Sequence, residues 1–194
     1  MNTKRTLTSL LSASVLVLAG CASSPQATTD SPKNPGQPAD ITRIAPAVSI
    51  PAISTRKMVL TMTGPKHVVE SKDWSDFKRE WRDTFQDHAK EAGVAFSFTE
   101  TAPSISTEDG TAILVDVADY RIVGIGARIW FGIMTGNAFI DAKVTYTNLR
   151  DGKRLGEQQY NTTSSAGSGI FAKVTPQQVD AIAKNVFLDL KTAK

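Results

Sequence analysis

The stretch Lys57-Met-Val-Leu-Thr-Met-Thr63, with the helical pattern that follows it, decides the fold of this chain. Apolar residues occupy every second position and the stretch ends at Gly64-Pro65, which predicts a β-strand. Downstream, apolar residues recur at steps of three and four, which predicts an amphipathic helix with one buried face. They are Trp74, Phe77, Trp81, Phe85 and Ala89. Ser71 or Asp73 is suited to cap the start of this helix, and Gly93 its end.

Four further strands and a final helix follow along the chain. Apolar and polar residues alternate over 94–99, 111–117 and 137–148, which predicts strands. The Asp-Gly turn that follows the last of these predicts a further strand over about 155–163, which pairs with it as an antiparallel hairpin. Thr175-Pro176 then begins a helix, with Thr175 as its cap and Pro at the first helical position. Its apolar stripe consists of Val179, Ile182, Ala183, Val186, Phe187 and Leu190.

The predicted order of elements is β-α-β-β-β-β-α. A strand-helix-strand start implies a right-handed crossover between parallel strands, whereas the hairpin is antiparallel. Strands with one polar face imply that both helices cover the other face. We therefore predict an α/β (α+β) two-layer sandwich over residues 56–194. Its sheet is mixed, mostly antiparallel and of about five strands, with two helices on one face.

The N-terminus predicts an export signal that ends at the only cysteine. Lys4 and Arg5 precede an apolar run of about a dozen residues, which is too short to span a bilayer. Leu18-Ala-Gly-Cys21 resembles the bacterial lipobox. The resemblance implies that the Cys21 thiol is acylated, that the chain is cut before it, and that the new amine is acylated as well. Ala22 and Ser23 follow the cysteine, where an Asp would act as an inner-membrane retention signal, so the resemblance implies transport to the outer membrane, with the domain facing the periplasm. The alternative is an ordinary secretory signal.

After removal of residues 1–20, residues 21–55 form the predicted tether. Six prolines punctuate small and polar residues there, and residues 22–40 lack the apolar surface that offsets the entropy of ordering. The last part of the tether is more apolar, and an extended lead-in strand against the domain is the alternative for it. That part carries Ile41, Ile44, Val48, Ile50 and Ile53.

Charge and cysteine content exclude several classes of function. The chain has 22 Lys and Arg against 19 Asp and Glu, so the mature protein is nearly neutral once Lys4 and Arg5 are removed. It has no dense basic block of the kind that binds nucleic acid. Because lipidation uses the single cysteine, no disulfide, zinc-thiolate site or cysteine nucleophile is possible. We predict no nucleic-acid partner, no metal site and no cofactor.

Patterns that carry catalysis are weak in this sequence. His67 and His88 are the only histidines, and no metalloprotease, Walker or nucleophile-elbow motif occurs. Gly124-x-Gly126 lacks the third glycine of a dinucleotide fingerprint. A loop explains Gly167-Ser168-Gly169 better than an anion site does.

Asp116, Asp119 and Asp141 are the nearest approach to a carboxylate cluster. Alternation places Asp116 and Asp141 on the open face of the sheet, together with Lys143. Cross-strand ion pairs explain these charges without catalysis. We therefore predict a protein that is not an enzyme, and a small envelope hydrolase using Asp116 or Asp141 is the opposing alternative.

Residues 121–136, which we call the glycine-rich segment, are too long and too apolar for a simple connection between strands. Three interpretations stay open. The segment packs into the core, or forms an exposed apolar hairpin for a protein partner or self-association, or contacts the membrane. The predicted partner-binding residues are Arg121, Ile125, Arg128, Trp130, Phe131, Ile133 and Met134.

Residues 56–194 resemble an uncharacterised family of proteobacterial lipoproteins, filed as a domain of unknown function. The resemblance is most specific over Asp119-Tyr-Arg121, the glycine-rich segment and Gly136-Asn-Ala-Phe-Ile-Asp-Ala-Lys-Val144. It implies no catalytic residues. The architecture is also similar to that of small α/β domains in envelope-assembly lipoproteins of the curli-secretion type. We therefore predict an outer-membrane lipoprotein that acts as a binding or assembly module, with a small-molecule or lipid carrier as the alternative.

Overall fold

The structure, a computed structural model, describes residues 40–43, 48, 50–122, 137–163 and 174–191. Its strands are β1 (Asp40–Arg43), β2 (Lys57–Thr63), β3 (Ala95–Thr99), β4 (Thr111–Arg121), β5 (Phe139–Asn148) and β6 (Arg154–Thr163). Its helices are α1 (Lys66–Val69), α2 (Trp74–Ala92) and α3 (Val174–Lys191), with a 3-10 turn at Ala52–Thr55. The strands form one sheet in the order β1-β6-β5-β4-β2-β3.

The sheet is mixed, as predicted. β2 runs parallel to β3 and to β4, and the remaining neighbours pair antiparallel. These pairings confirm the mixed α/β sandwich. The observed order is β-β-α-α-β-β-β-β-α, which adds strand β1 and the short helix α1 to the predicted β-α-β-β-β-β-α. Because β3 and β4 flank β2, the connection over 100–110 crosses β2. Thr61 Oγ1 donates to the Thr101 carbonyl at 3.5 Å, and Val59 and Thr61 are buried on the side of the sheet away from the helices.

Helix α2 supplies the aromatic half of the core. Every residue of its predicted stripe is buried, and Trp81 and Phe85 are fully so. Gly93 ends the helix at φ 68°, a left-handed conformation that glycine adopts without steric cost. Asp73 stands at the N-cap as predicted, but its side chain makes no capping hydrogen bond.

Helix α3 packs beside α2 through its own buried stripe, and all six predicted stripe residues are buried. The rings of Phe85 and Phe187 join the two helices at a centroid distance of 6.0 Å. The helix begins at Val174, one residue before the predicted cap. Thr175 is buried within the first turn, and its hydroxyl has no hydrogen-bond partner in the described part of the chain.

A strand lies within the range that the sequence assigns to the tether. β1 pairs antiparallel with β6, with Asp40 opposite Thr163, and Val48 and Ile50 are buried further along. Val48 and Ile50 belong to the hydrophobic core. Residues 1–39, with Cys21 among them, lie outside the described residues. No helix among those that the structure describes is long and apolar enough to cross a membrane.

Candidate binding surface

The face of the sheet opposite the helices carries polar side chains on β4, β5 and β6. Successive side chains of a strand point to opposite faces, and Ile140, Ala142 and Val144 are buried in the core, so the residues between them face outward. We call this surface the open sheet face. It consists of Asp116, Asp119, Arg121, Phe139, Asp141, Lys143, Gln159 and Asn161.

A β-bulge at Ala118 shifts the register of β4 against β5. Val117 lies opposite Ala142 and Asp119 lies opposite Asp141, so Ala118 has no cross-strand partner. One extra residue reverses the alternation of faces for the rest of the strand. Strict alternation would instead turn Asp119 toward the core. The bulge therefore adds this carboxylate to the open sheet face.

The same bulge turns Tyr120 toward the helices. Its ring stacks on Phe77 with a centroid distance of 4.2 Å and an interplanar angle of 3°, and its hydroxyl lies 2.5 Å from Ser71 Oγ. Burial raises the pKa of the Tyr120 phenol, and the charge of Asp73 adds to this effect. A neutral, stacked and hydrogen-bonded tyrosine thus holds the last residues of β4 in place.

Asp119 and Asp141 lie directly opposite each other on the open sheet face. Like charges in this position are destabilising unless neighbouring groups compensate them. Gln159 Nε2 donates to Asp141 Oδ1 at 2.6 Å. Asn161, with its amide nitrogen turned toward the same oxygen, donates at 2.7 Å. Amide donors from β6 therefore satisfy one carboxylate of the pair.

Asp116 and Lys143 are direct cross-strand neighbours of opposite charge. Hydrolysis by a carboxylate calls for a second acid, base or nucleophile within hydrogen-bond reach. The histidines lie elsewhere: His67 is exposed on α1, and His88 Nε2 is 2.8 Å from Asp180 Oδ1 in the helical layer. Within the described ranges, no three or more His, Cys, Asp or Glu residues group together so as to hold a metal ion. The described open sheet face is thus suited to ion pairing and hydrogen bonding.

Arg121 and Phe139 face each other where the glycine-rich segment leaves β4 and enters β5. The Arg121 guanidinium carbon lies 5.9 Å from the centroid of the Phe139 ring, which is a cation–π contact. Arg121 is exposed and is the one predicted partner-binding residue that the structure describes. The predicted residues outside the described ranges are Ile125, Arg128, Trp130, Phe131, Ile133 and Met134. Gly124, Gly126 and Gly167–Gly169 lie outside them too.

Sequence reasoning missed Gln159 and Asn161 as members of this surface. Their positions depend on the register of β6 against β5, for which the Asp-Gly turn was the available signal. Thr147 lies opposite Arg154 beside that turn, but Tyr146 lies opposite Gly156, so the register shifts by one residue. Counting outward from the turn would therefore have placed the wrong residues opposite Asp141.

No protein-family model and no curated protein matches this sequence. Among solved structures, the chain is similar to the PelC dodecamer from Paraburkholderia phytofirmans, at 10% identity over 80% of this chain and 99% of that chain, with a TM-score of 0.48. It is similar to protein XCC0632 of the domain-of-unknown-function family DUF330 from Xanthomonas campestris, at 8% identity over 75% and 93% of the two chains and a TM-score of 0.44. Lipoprotein GNA1162 from Neisseria meningitidis matches at 10% identity over 68% and 98%, with a TM-score of 0.39. Likenesses this remote carry no argument about the function of this chain.

Proposed function

We propose that this protein is a non-catalytic binding or assembly module of the cell envelope. It is anchored to the outer membrane through lipidated Cys21, and its domain faces the periplasm. Its working surface is the open sheet face together with the glycine-rich segment. The observation that carries this proposal is the arrangement at one end of the sheet, where exposed Arg121 covers Phe139 beside the facing carboxylates of Asp119 and Asp141.

This arrangement has the chemistry of a recognition surface. Arginine and aromatic side chains are enriched where proteins bind one another, because they combine apolar contact area with directional hydrogen bonds. Facing carboxylates beside a guanidinium create an alternating charge pattern that selects a complementary partner. All of these groups stand on paired strands, so a partner would meet a surface that is already ordered.

The carrier alternative calls for an enclosed apolar cavity beneath the sheet. The described grooves, with volumes of about 250 to 530 Å³, lie at the surface and have charged residues in their rims. Beneath the helices the core side of the central strands is filled by fully buried side chains. Examples are Met58, Leu60, Ile113 and Val115. These observations support the binding module over the carrier.

The test is photocrosslinking in cells from position 130, with mass spectrometry of the captured molecule. We expect one envelope protein, or a second copy of this chain, to be captured reproducibly. The capture should be lost in the Arg121→Ala/Phe139→Ala double variant, while the folded state is retained. A crosslinker at Leu188, which is 54% exposed on α3 in the other layer, is the matched control and should not capture the same molecule.

Two results would contradict the proposal. Capture of phospholipid alone would favour the carrier or the membrane-contact interpretation. A hydrolytic activity that is lost in Asp116→Asn but survives replacement of the apolar residues of the glycine-rich segment would favour an enzyme. Asp116 is suited to this test because it lies on the open sheet face, where an amide of the same shape should leave the fold intact.

A further inference from the structure

Strand β3 forms one edge of the sheet, and its outer side pairs with no strand in the part of the chain that the structure describes. The Ala95 amide donates to the Arg56 carbonyl, on the side of β2, at 3.0 Å. Successive residues of a strand direct their N–H and C=O groups to opposite edges, so Phe96 and Phe98 direct theirs outward. None of the five residues of β3 is buried. The edge therefore presents the backbone donors and acceptors of two residues to the surface.

A groove of about 530 Å³ runs between this edge and helix α2. Its floor consists of the side chains of Val94, Phe96 and Phe98, which point to the core side but stay only half-buried. They remain so because no strand of the described sheet lies beyond β3 to cover them. Phe96 and Phe98 thus offer both an apolar floor and backbone groups that pair with no described strand.

The helical wall of the groove carries two basic residues, Arg82 and Lys90. Arg82, Gln86 and Lys90 follow one another at steps of four and so share one face of α2. Arg82 also contacts Asp83 at 2.8 Å, whereas Lys90 has no ion-pair partner among the described side chains. Asp87 is the one acidic residue of the described lining. A carboxylate entering the groove would therefore find Lys90 available.

We infer that this groove is a second binding site, which takes an extended peptide segment as an added strand on β3. The peptide backbone pairs with Phe96 and Phe98, alternate apolar side chains cover their rings, and a peptide carboxylate lies against Lys90. Recognition of this kind takes affinity from main-chain hydrogen bonds and specificity from alternate side chains. The site is separate from the open sheet face, so it stands or falls independently of the function proposed above.

The test is a fluorescence anisotropy titration of the purified full chain with a labelled peptide of alternating valine and glutamate. Methylating alternate backbone nitrogens of that peptide should weaken binding about tenfold or more, because each methyl removes a donor to the edge. Replacing its glutamates by lysines should weaken binding at low salt by about fivefold or more. Lys90→Glu should have a similar effect. Lys66→Glu, a matched charge reversal of a side chain that is 84% exposed on α1, should change affinity less than about twofold.

Amide hydrogen exchange locates the contact. On addition of the peptide, the amides of Phe96 and Phe98 should gain protection, while those of Ala95 and Ser97 should not change. Equal binding of the methylated peptide, or protection at a site other than β3, would overturn the inference. Self-association of the chain that Lys90→Glu abolishes, without peptide binding, would assign the groove to a second copy and overturn it too.

Discussion

At Ala118, strand β4 gains one residue relative to β5, and its two halves obey different alternation patterns as a result. Before the bulge, Val115 and Val117 face the core and Asp116 faces outward. After it, Tyr120 faces the core and its neighbours face outward. One small, exposed residue thereby allows a single strand to fill the core along its whole length and still to present charge on the other face.

Deletion of Ala118 should therefore be tolerated. It removes the one unpaired residue of the bulge, so Asp119 stays opposite Asp141 on the outer face. We expect the variant to stay within about 1 kcal/mol of wild type in urea denaturation followed by circular dichroism. Deletion of Leu114, in the regular part of β4, should instead cost about 3 kcal/mol or more, because it would turn Val115 away from the core. Equal destabilisation by the two deletions would contradict this account of the bulge.

Tyr146 and Asp189 form a buried polar contact between the sheet and α3. The Tyr146 hydroxyl donates to Asp189 Oδ2 at 2.9 Å, and both residues lie in the interior. Burial raises the pKa of Tyr146 well above its usual 10.0, and the charges of Tyr160 and Asp189 act in the same direction. The folded chain therefore holds this proton at pH values where the unfolded chain releases it.

The stability that this proton linkage contributes is fully present below pH 10 and is lost as the pH rises further. We expect the unfolding free energy of wild type to fall more steeply above about pH 10 than that of Tyr146→Phe, which cannot ionise. At neutral pH the variant should be about 1 to 3 kcal/mol less stable, because Asp189 loses one buried donor. Urea denaturation at a series of pH values from 8 to about 11 measures both effects. Parallel pH profiles would contradict the assignment.

At the scale of elements, α2 and α3 are joined by polar contacts at the edge of their apolar seam. His88 of α2 and Lys184 of α3 both approach Asp180, each at 2.8 Å. Partial burial raises the pKa of Asp180, but hydrogen bonds and charge attraction from Lys184 and His88 outweigh it, so the pKa is lowered overall. The contact thus favours the ionised carboxylate in the folded state.

Because the pKa of Asp180 is lower in the folded state, its ionised carboxylate stabilises the fold at pH values above the unfolded pKa of 3.8. This stabilisation is lost as the pH falls through the lower pKa of the folded state. Asp180→Asn should therefore flatten the loss of stability below about pH 4. The effect should be less than about 1 kcal/mol, since the pair is partly exposed to solvent. Thermal unfolding from pH 7 down to about 3 tests this, with Asp76→Asn on the exposed side of α2 as the control. An acid profile of Asp180→Asn identical to that of wild type would refute the assignment.

The helices were predictable because their signal is local. Trp81 and Phe187 belong to stripes whose spacing alone places them in the core, whatever the sheet does. The central position of β2 between two parallel strands was not predictable, since pairing partners are not encoded in alternation. Asp119 and Asn161 lie on the open sheet face because of register shifts, which cannot be detected in the hydrophobic pattern. The sequence thus predicted most of the fold but only part of the open sheet face.

At the scale of the whole molecule, the proposed lipid anchor at Cys21 would decide where the domain works. Cys21→Ser removes the acylated thiol that the lipobox resemblance implies. We expect this variant to appear in the soluble periplasmic fraction or to remain unprocessed, because acyl chains contribute about 0.8 kcal/mol of membrane affinity per buried CH₂. Membrane fractionation and intact mass measure the two outcomes. Normal cleavage with unchanged membrane fractionation would refute the anchor.

The pairing of β1 with β6 also has a consequence for folding kinetics. Every other strand of the described sheet lies between these two in the chain, so their contact closes a long loop. The hairpin of β5 and β6 needs only short-range contacts and can form early, whereas β1 must wait for β6. In a chain that emerges N-terminus first, β1 is thus the first strand of the described sheet to emerge and the last to pair. Until then the edge of β6 is open to other chains, so the waiting time for β1 sets the period during which aggregation competes with folding.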